Sequence, residues 1–325
     1  MASKLTIEEI SERLLAHLRQ ELGAPRLAYA KPPEILKYVQ SAICAFELEA
    51  PPPELSGPLI LRLRRRARLA RFALRERAVH AALIEAGAPV PRALMASMGE
   101  GPLGLPFTIT ERVEGHPALG LWSGPFAFAR MASTVAAVQL DLHALDTEAF
   151  LRTAERHGVQ RDALTLDDPI DYIERRVRRN AIDWLAPGIS WLHEMRPRGG
   201  GERVVCHGDL HGSNILLRGG AVEGVIDWEA AMVADPAYDV AATLSAIETR
   251  NDFSHVLRPL IRPAVVRVRE RYLRAYRSTR PLDMEAVRFY QARRLAFWMV
   301  QRPRNARRYA AGFRAVTSVS LQPPP

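Results

Sequence analysis

The sequence is poor in lysine. Only Lys4, Lys31 and Lys37 are lysines among 45 basic residues, and none occurs beyond position 37. Any cation required further along the chain must therefore be an arginine. Cysteine is scarcer still: Cys44 and Cys206 are the two in 325 residues, too few for a disulfide framework and without the paired spacing of a metal site. No run approaches the roughly 18 consecutive apolar residues that span a bilayer. The opening stretch, MASKLTIEEISERLLAHLRQ, interleaves charges with apolar residues at helical spacing, so it has no uninterrupted apolar segment of the kind a secretory signal carries. These absences predict a reduced, cytoplasmic protein with no membrane partner. Internal repeats are absent, and the terminal PPP is the one low-complexity element.

Apolar residues make up 48% of the chain and charged residues 25%, ample for buried cores and, by length, about two domains. The net charge of +9 and pI near 10.0 raise the question of nucleic acid, because clustered cations are the footprint of phosphate binding. The arginines, however, are spread over many helical faces, which reads as solvated surface. No nucleic-acid partner is expected.

Along the chain, Ile7–Leu22 reads as a helix, followed by a proline-interrupted stretch. Extended pieces come next around Cys44–Leu48 and Leu59–Leu63, separated by the proline-rich loop Ala50–Pro58. This pattern predicts two strands joined by a long hairpin connection. Arg68–Ala86 reads as a helix stopped by Gly87, Pro89 and Pro91. Pro106–Val113 reads as a strand, and Met131, Val135, Val138, Leu142 and Leu145 recur at helical spacing within Phe126–Leu145. The rest is helical except for Val204–Asp227, where the short apolar runs VVC, NILL and VEGVID alternate with HGDLHGS and RGGA. The expected fold class is α+β, with a strand-rich first third and a helical remainder holding one β-hairpin.

That hairpin carries the residues of most chemical interest. Transfer of a phosphoryl group asks an enzyme mainly to position an acceptor hydroxyl, hold metal ions and neutralise phosphate charge. Asp209 opens the loop and Asn214 lies five positions later, so one turn aims a carboxylate at an acceptor and returns an amide oxygen toward a magnesium ion. Asp227 closes the next strand, 18 residues beyond Asp209. A tight Arg218–Ala221 turn would bring it back beside Asn214. Carboxylate and amide oxygen form a hard donor set suited to Mg²⁺. Taken singly, each aspartate also reads as an ordinary turn or strand-end residue and His207 as a core histidine; the ordered set is what points to chemistry.

The segments HGDLHGSNILL, IDWE and DPAYD, spanning His207–Asp239, resemble the aminoglycoside and macrolide phosphotransferases and their choline-kinase relatives, with weaker similarity over Lys37–Trp298. The resemblance implies a bilobal protein-kinase-like fold, a small β-rich lobe over residues 1–113 and a larger helical lobe over 114–325. It implies that Asp209 orients or deprotonates the acceptor hydroxyl, that Asn214 and Asp227 hold Mg²⁺, that His207 is structural, and that Asp239 buttresses the loop. ATP is the expected phosphate donor, with GTP as an alternative. On the nucleotide side the family pairs a strand cation with a helix glutamate; here the matching residues are Arg62 and Glu76. TITERVEG, Thr108–Gly115, resembles the connection between lobes, so the backbone from Glu111 to Val113 is expected to meet the adenine edge. The segment KYVQSAICA, where the phosphate-covering loop should fall, has no glycine. Its absence leaves a non-catalytic kinase-like binding module as the alternative reading.

The acceptor remains to be read from the C-terminal part. From position 241 onward there are 17 arginines against Glu248, Asp252, Glu270, Asp283 and Glu285. A polycationic acceptor needs clustered carboxylates, so a neutral or anionic alcohol, or a large apolar macrolide-like one, is the better match.

Overall fold

The computed structural model describes residues 5–38, 41–66, 69–118, 127–166, 170–197, 201–249 and 258–323. The chain forms two compact units. The first comprises Met1–His116, Glu148–Ala163 and Leu216–Glu229; the second comprises Pro117–Thr147, Leu164–Ile215 and Ala230–Pro325. A single cut after residue 113 does not separate them, because the chain returns to the first unit twice.

The first unit is built on an antiparallel sheet of β1 (Ala28–Tyr38), β2 (Ser41–Glu49), β3 (Leu59–Arg64), β4 (Ala93–Ser97) and β5 (Phe107–Glu111), in the order β1-β2-β3-β5-β4. Helix α1 (Ile7–Glu21) starts with a capping box, in which the Thr6 hydroxyl accepts from the Glu9 N–H and the Glu9 carboxylate accepts from the Thr6 N–H. Its buried Ile10, Leu14 and Leu18 join Cys44, Leu59, Leu61, Phe107 and Ile109 of the sheet in one apolar core. The alternation in β3 sorts its side chains between two faces: Leu59, Leu61 and Leu63 are buried in this core. Arg62 and Arg64, two residues apart, therefore share the opposite face.

The proline-interrupted stretch that the sequence suggested as a break is strand β1. Pro32 and Pro33 are accommodated because β1 is a sheet edge and its pairing with β2 shifts register between Lys31 and Glu34. The loop between β2 and β3 contains a short 3-10 turn at Pro53–Leu55. Helix α2 (Ala70–Glu85) is shorter than the expected Arg68–Ala86, and Arg68 lies outside the described residues. The same unit contains most of α4 (Thr147–Arg156), whose Thr153 and Arg156 side chains donate to Glu85 at the end of α2, at 2.8 and 2.6 Å.

After the two-residue strand β6 (His116–Pro117), the second unit begins with α3 (Ala127–His143), close to the expected Phe126–Leu145; Phe126 is outside the described residues. Helices α5 (Asp171–Arg179) and α6 (Ala186–Glu194) lead to β7 (Val204–Cys206). Strands β8 (Ile215–Arg218) and β9 (Ala221–Val225) form the expected hairpin where the chain returns to the first unit over Leu216–Glu229, and Gly219 and Gly220 take φ of +60° and +89° in its turn. Two successive left-handed residues are what a tight hairpin turn demands, and glycine adopts them without a Cβ clash. Strand β10 (Met232–Ala234) pairs antiparallel with β7, and α7 (Pro236–Thr249), α8 (Arg258–Arg277), α9 (Met284–Gln301) and α10 (Ala306–Thr317) complete the unit. Tyr272, Leu273 and Tyr276 are buried. No helix among the described residues is long and apolar enough to cross a membrane.

Candidate active site

In the second unit, the loop from His207 to Asn214 leaves β7 and ends in a single 3-10 turn at Gly212–Asn214. Its first residue, His207, is fully buried and its Nδ1 accepts from the Asp209 N–H at 3.3 Å. Gly208 sits at φ +76°, and a Cβ there would come within 2.5 Å of the Ala230 carbonyl oxygen. No other residue fits that position. The Gly208 N–H donates to Asp239 Oδ1 at 2.6 Å. Asp239, in the first turn of α7, is completely buried, and its Oδ2 accepts from Gln139 Nε2 at 2.8 Å and meets His143 Nε2 at 3.1 Å. The other nitrogen of His143 lies 2.7 Å from the Tyr276 hydroxyl. Burial pushes the Asp239 carboxyl up, but the His143 hydrogen bond and charge and the Gln139 hydrogen bond together hold it below the usual carboxylate range. The loop thus hangs from a buried anion satisfied on both oxygens.

Asp209 itself points into a partly open environment. Its Oδ1 accepts from Arg294 of α9 at 2.8 Å, and the same guanidinium donates to the Gly208 carbonyl at 2.9 Å. Asn214 Nδ2 donates to the Asp209 carbonyl at 3.0 Å, which fixes the amide plane and leaves the amide oxygen for an electropositive partner.

The first unit presents a second charged cluster on the β3 face. Glu76 lies on the buried stripe of α2 with Ala73, Val79, His80 and Leu83. A carboxylate there is costly unless paired. It has two arginine partners: Arg64 at 2.6 Å and Arg62 at 3.6 Å. The Thr108 hydroxyl of β5 donates to Glu76 and accepts from Arg64, at 2.8 and 2.9 Å. Burial raises the Glu76 pKa, yet Arg62 and Arg64 outweigh it and bring the group to about 2. The Arg62 guanidinium, desolvated but ringed by Glu76, Asp227 and Glu229, is held above its ordinary value.

Asp227 comes just after β9 in a left-handed conformation, φ +71°, which aspartate tolerates better than most side chains. Its Oδ1 accepts from Arg62 at 3.1 Å, while Glu229 meets Arg62 at 3.0 Å and Arg64 at 3.3 Å. Between them the buried Trp228 donates its indole N–H to the Val225 carbonyl at 2.8 Å, pinning the turn. At the end of β5, the Glu111 N–H is bonded to the Arg92 carbonyl and its carboxylate to the Arg92 guanidinium. Val113 packs over Gly224, where a Cβ would lie 2.9 Å from Val113 Cγ1.

An antiparallel sheet with a paired strand cation and helix glutamate, and a helical unit with an HGDxxxxN loop slung from a buried aspartate, define a protein-kinase-like phosphotransferase fold. Residues 53–290 match the model of the phosphotransferase enzyme family, and the chain belongs to that family of small-molecule phosphotransferases. It is 32% identical over 216 residues to an aminoglycoside 3'-phosphotransferase of Streptomyces fradiae, covering 63% of this chain and 72% of that protein. Among solved structures, a thermostable mutant of aminoglycoside phosphotransferase APH(4)-Ia in apo form superposes with a TM-score of 0.65 at 18% identity, over 95% of this chain and 98% of that one. The macrolide 2'-phosphotransferase MphH of Brachybacterium faecium does so at 0.54 and 20%, over 95% and 99%. Such distant structural likeness shows the shared α+β fold.

The residues singled out from sequence fall into two sets. Asp209, Asn214, His207 and Asp239 come together in the second unit; Arg62, Glu76 and Asp227 come together in the first. Sequence reasoning passed over Arg64, Glu229 and Arg294. Arg64 was legible in principle, two residues after Arg62 on the same strand face and 12 before Glu76. Arg294 gave no signal, being one arginine among 17 after position 240.

Proposed function

We propose that the protein transfers the γ-phosphate of ATP, or of GTP as an alternative donor, to a hydroxyl of a neutral or anionic small molecule or a macrolide-like one. The observation that carries this reading is Asp209, partly exposed yet clamped through its carboxylate, carbonyl and N–H. A group held this rigidly meets an acceptor without reorganising. In the reaction, the acceptor oxygen attacks the γ-phosphorus as the bond from phosphorus to the β–γ bridging oxygen breaks. The acceptor proton passes to the Asp209 carboxylate, and the products are a phosphate monoester and the nucleoside diphosphate.

Mg²⁺ fits the donors present. Asn214 has its amide oxygen free of the loop bond made by Nδ2, and Asp227 is a half-exposed carboxylate. Both are hard oxygen ligands of the type magnesium takes alongside phosphates and water. When bound, the ion would offset charge on the transferred group. His207 and Asp239 hold the loop. Arg62 is assigned to the donor phosphates and Arg64 to Glu76, the closer pair by an ångström. Because the Glu111 N–H is already bonded to Arg92, its carbonyl and the Val113 N–H are assigned to the adenine edge.

The test is direct. Purified protein with ATP or GTP, Mg²⁺ and a panel of hydroxyl compounds should release diphosphate only when an acceptor is present, and Asp209→Asn should remove that release. Acceptor-independent release, or an unaffected Asp209→Asn variant, would overturn the reading.

A further inference from the structure

The surroundings of Asp209 say more about the acceptor than composition does. Arg294 spends two N–H groups, one on the Asp209 carboxylate and one on the Gly208 carbonyl. A guanidinium has five, and among the described residues the remaining three have no hydrogen bond. Arg294 is also the first of a stripe along α9. Its guanidinium lies 5.8 Å from the Trp298 ring centroid, and Arg302 covers the same ring at 4.1 Å. Positions 294, 298 and 302 are spaced by four, so they run along one face of the helix and its C-terminal end. The partly exposed indole is thus flanked by two cations.

Among the described residues from α7 onward, two carboxylates that could oppose this charge are committed elsewhere. Glu248 is paired with Arg269 at 3.2 Å, and Asp283 caps the start of α9 by accepting from the Glu285 and Ala286 N–H groups. An ammonium group brought beside Asp209 would meet Arg294 first. A carboxylate or phosphate would meet a partly buried guanidinium, already oriented by two bonds, of the kind that binds oxyanions well.

We infer that the acceptor is a hydroxy acid or a phosphorylated alcohol, whose anionic group is held by Arg294, with Arg302 on Trp298 adding to the positive field there, while its hydroxyl meets Asp209. This inference rests on the phosphotransferase reading. In that arrangement Arg294 serves twice, keeping the Asp209 carboxylate in place and offsetting its repulsion of the incoming anion.

Matched acceptor pairs test it: glycerate and glycerol 3-phosphate against glycerol, gluconate against gluconamide, with kanamycin as the polycation. Each is assayed for turnover with ATP and Mg²⁺ and, independently, for binding by calorimetry without nucleotide. The acids should be used and bound at least about tenfold better than their neutral partners, the worth of one charged hydrogen bond. Arg302→Ala, at an exposed position that the fold does not require, should weaken acid binding and raise KM more than it lowers kcat. Arg294→Lys should retain part of what Arg294→Ala loses. Neutral acceptors or kanamycin bound as well as or better than every acid would overturn the inference while leaving the phosphotransferase reading intact. So would acid binding unchanged in both arginine variants, or no detectable binding of any acid. Turnover of no acceptor, with acids still bound through Arg294 and Arg302, would instead count against the phosphotransferase reading alone.

Discussion

Arg64 is 1% exposed and makes the shortest bond that Glu76 receives. Replacing it by alanine removes that bond and leaves a buried carboxylate with only its longer contact to Arg62 and the Thr108 hydroxyl. Arg64→Ala should therefore destabilise the protein by about 3 kcal/mol, as when one partner of a buried pair is lost, read as a lowered urea midpoint. Arg62 has a different balance: it faces three carboxylates, two of them substantially exposed. Its replacement should weaken nucleotide binding more than it weakens the fold. Asp209→Asn keeps the shape and the Asn214 bond, so it should leave the urea midpoint nearly unchanged while lowering kcat at least about 100-fold, the scale of a lost general base. Gly208→Ala should disturb both. Its Cβ would meet the Ala230 carbonyl at 2.5 Å, so the midpoint and the turnover should fall together.

At the level of elements, α2 and β3 are coupled through one titration. The folded Glu76 carboxyl sits near 2 against an ordinary value of 4.5. A depressed carboxyl contributes stability that is complete above its unfolded value and is lost as pH falls through the folded one. The urea midpoint should thus decline as pH drops from about 4.5 toward 2, and Glu76→Gln should be less stable at neutral pH but flatter across that window. Persistence of the full slope in Glu76→Gln would assign it to other groups. Elements such as α1, with its apolar residues at helical spacing, and the β8–β9 hairpin, with its Gly219–Gly220 turn, were plain in the sequence because their signals are local. Strand β1 was not, since Pro32 and Pro33 argue against a strand until its edge position is known. The loop from His207 to Asn214 was legible as a spacing, whereas its clamps, Arg294 and the His143–Tyr276 pair, come from helices far away in the sequence on both sides of the loop. Those contacts are set by packing, which one sequence does not display.

For the molecule as a whole, a ligand that binds only the folded state raises its stability by an amount set by its saturation, about 2.7 kcal/mol at a hundred times Kd. ATP with Mg²⁺ should raise the melting temperature, EDTA should diminish that rise, and Asp227→Asn should make the nucleotide effect less dependent on the metal. A uniform nucleotide effect with or without Mg²⁺ would remove Asp227 from the metal set. The net charge of +9 is spread over dispersed arginines, so adsorption to nucleic acid should be feeble and vanish on modest addition of salt. Retention with a steep salt slope would reveal a clustered site.

The interleaving of the chain bears on how the protein comes into being. The carboxylates that surround Arg62 and Arg64 from the third segment, Asp227 and Glu229, emerge from the ribosome long after the strand that awaits them. A nascent chain ending at His116 has its sheet but holds two inward cations with Glu76 as their one carboxylate among these contacts. The first unit therefore matures late, after about a hundred further residues, most of them in the second unit, have been synthesised. Contacts of such sequence separation slow folding, and a fragment cut at residue 116 would be a poor stand-in for the first unit of the intact protein.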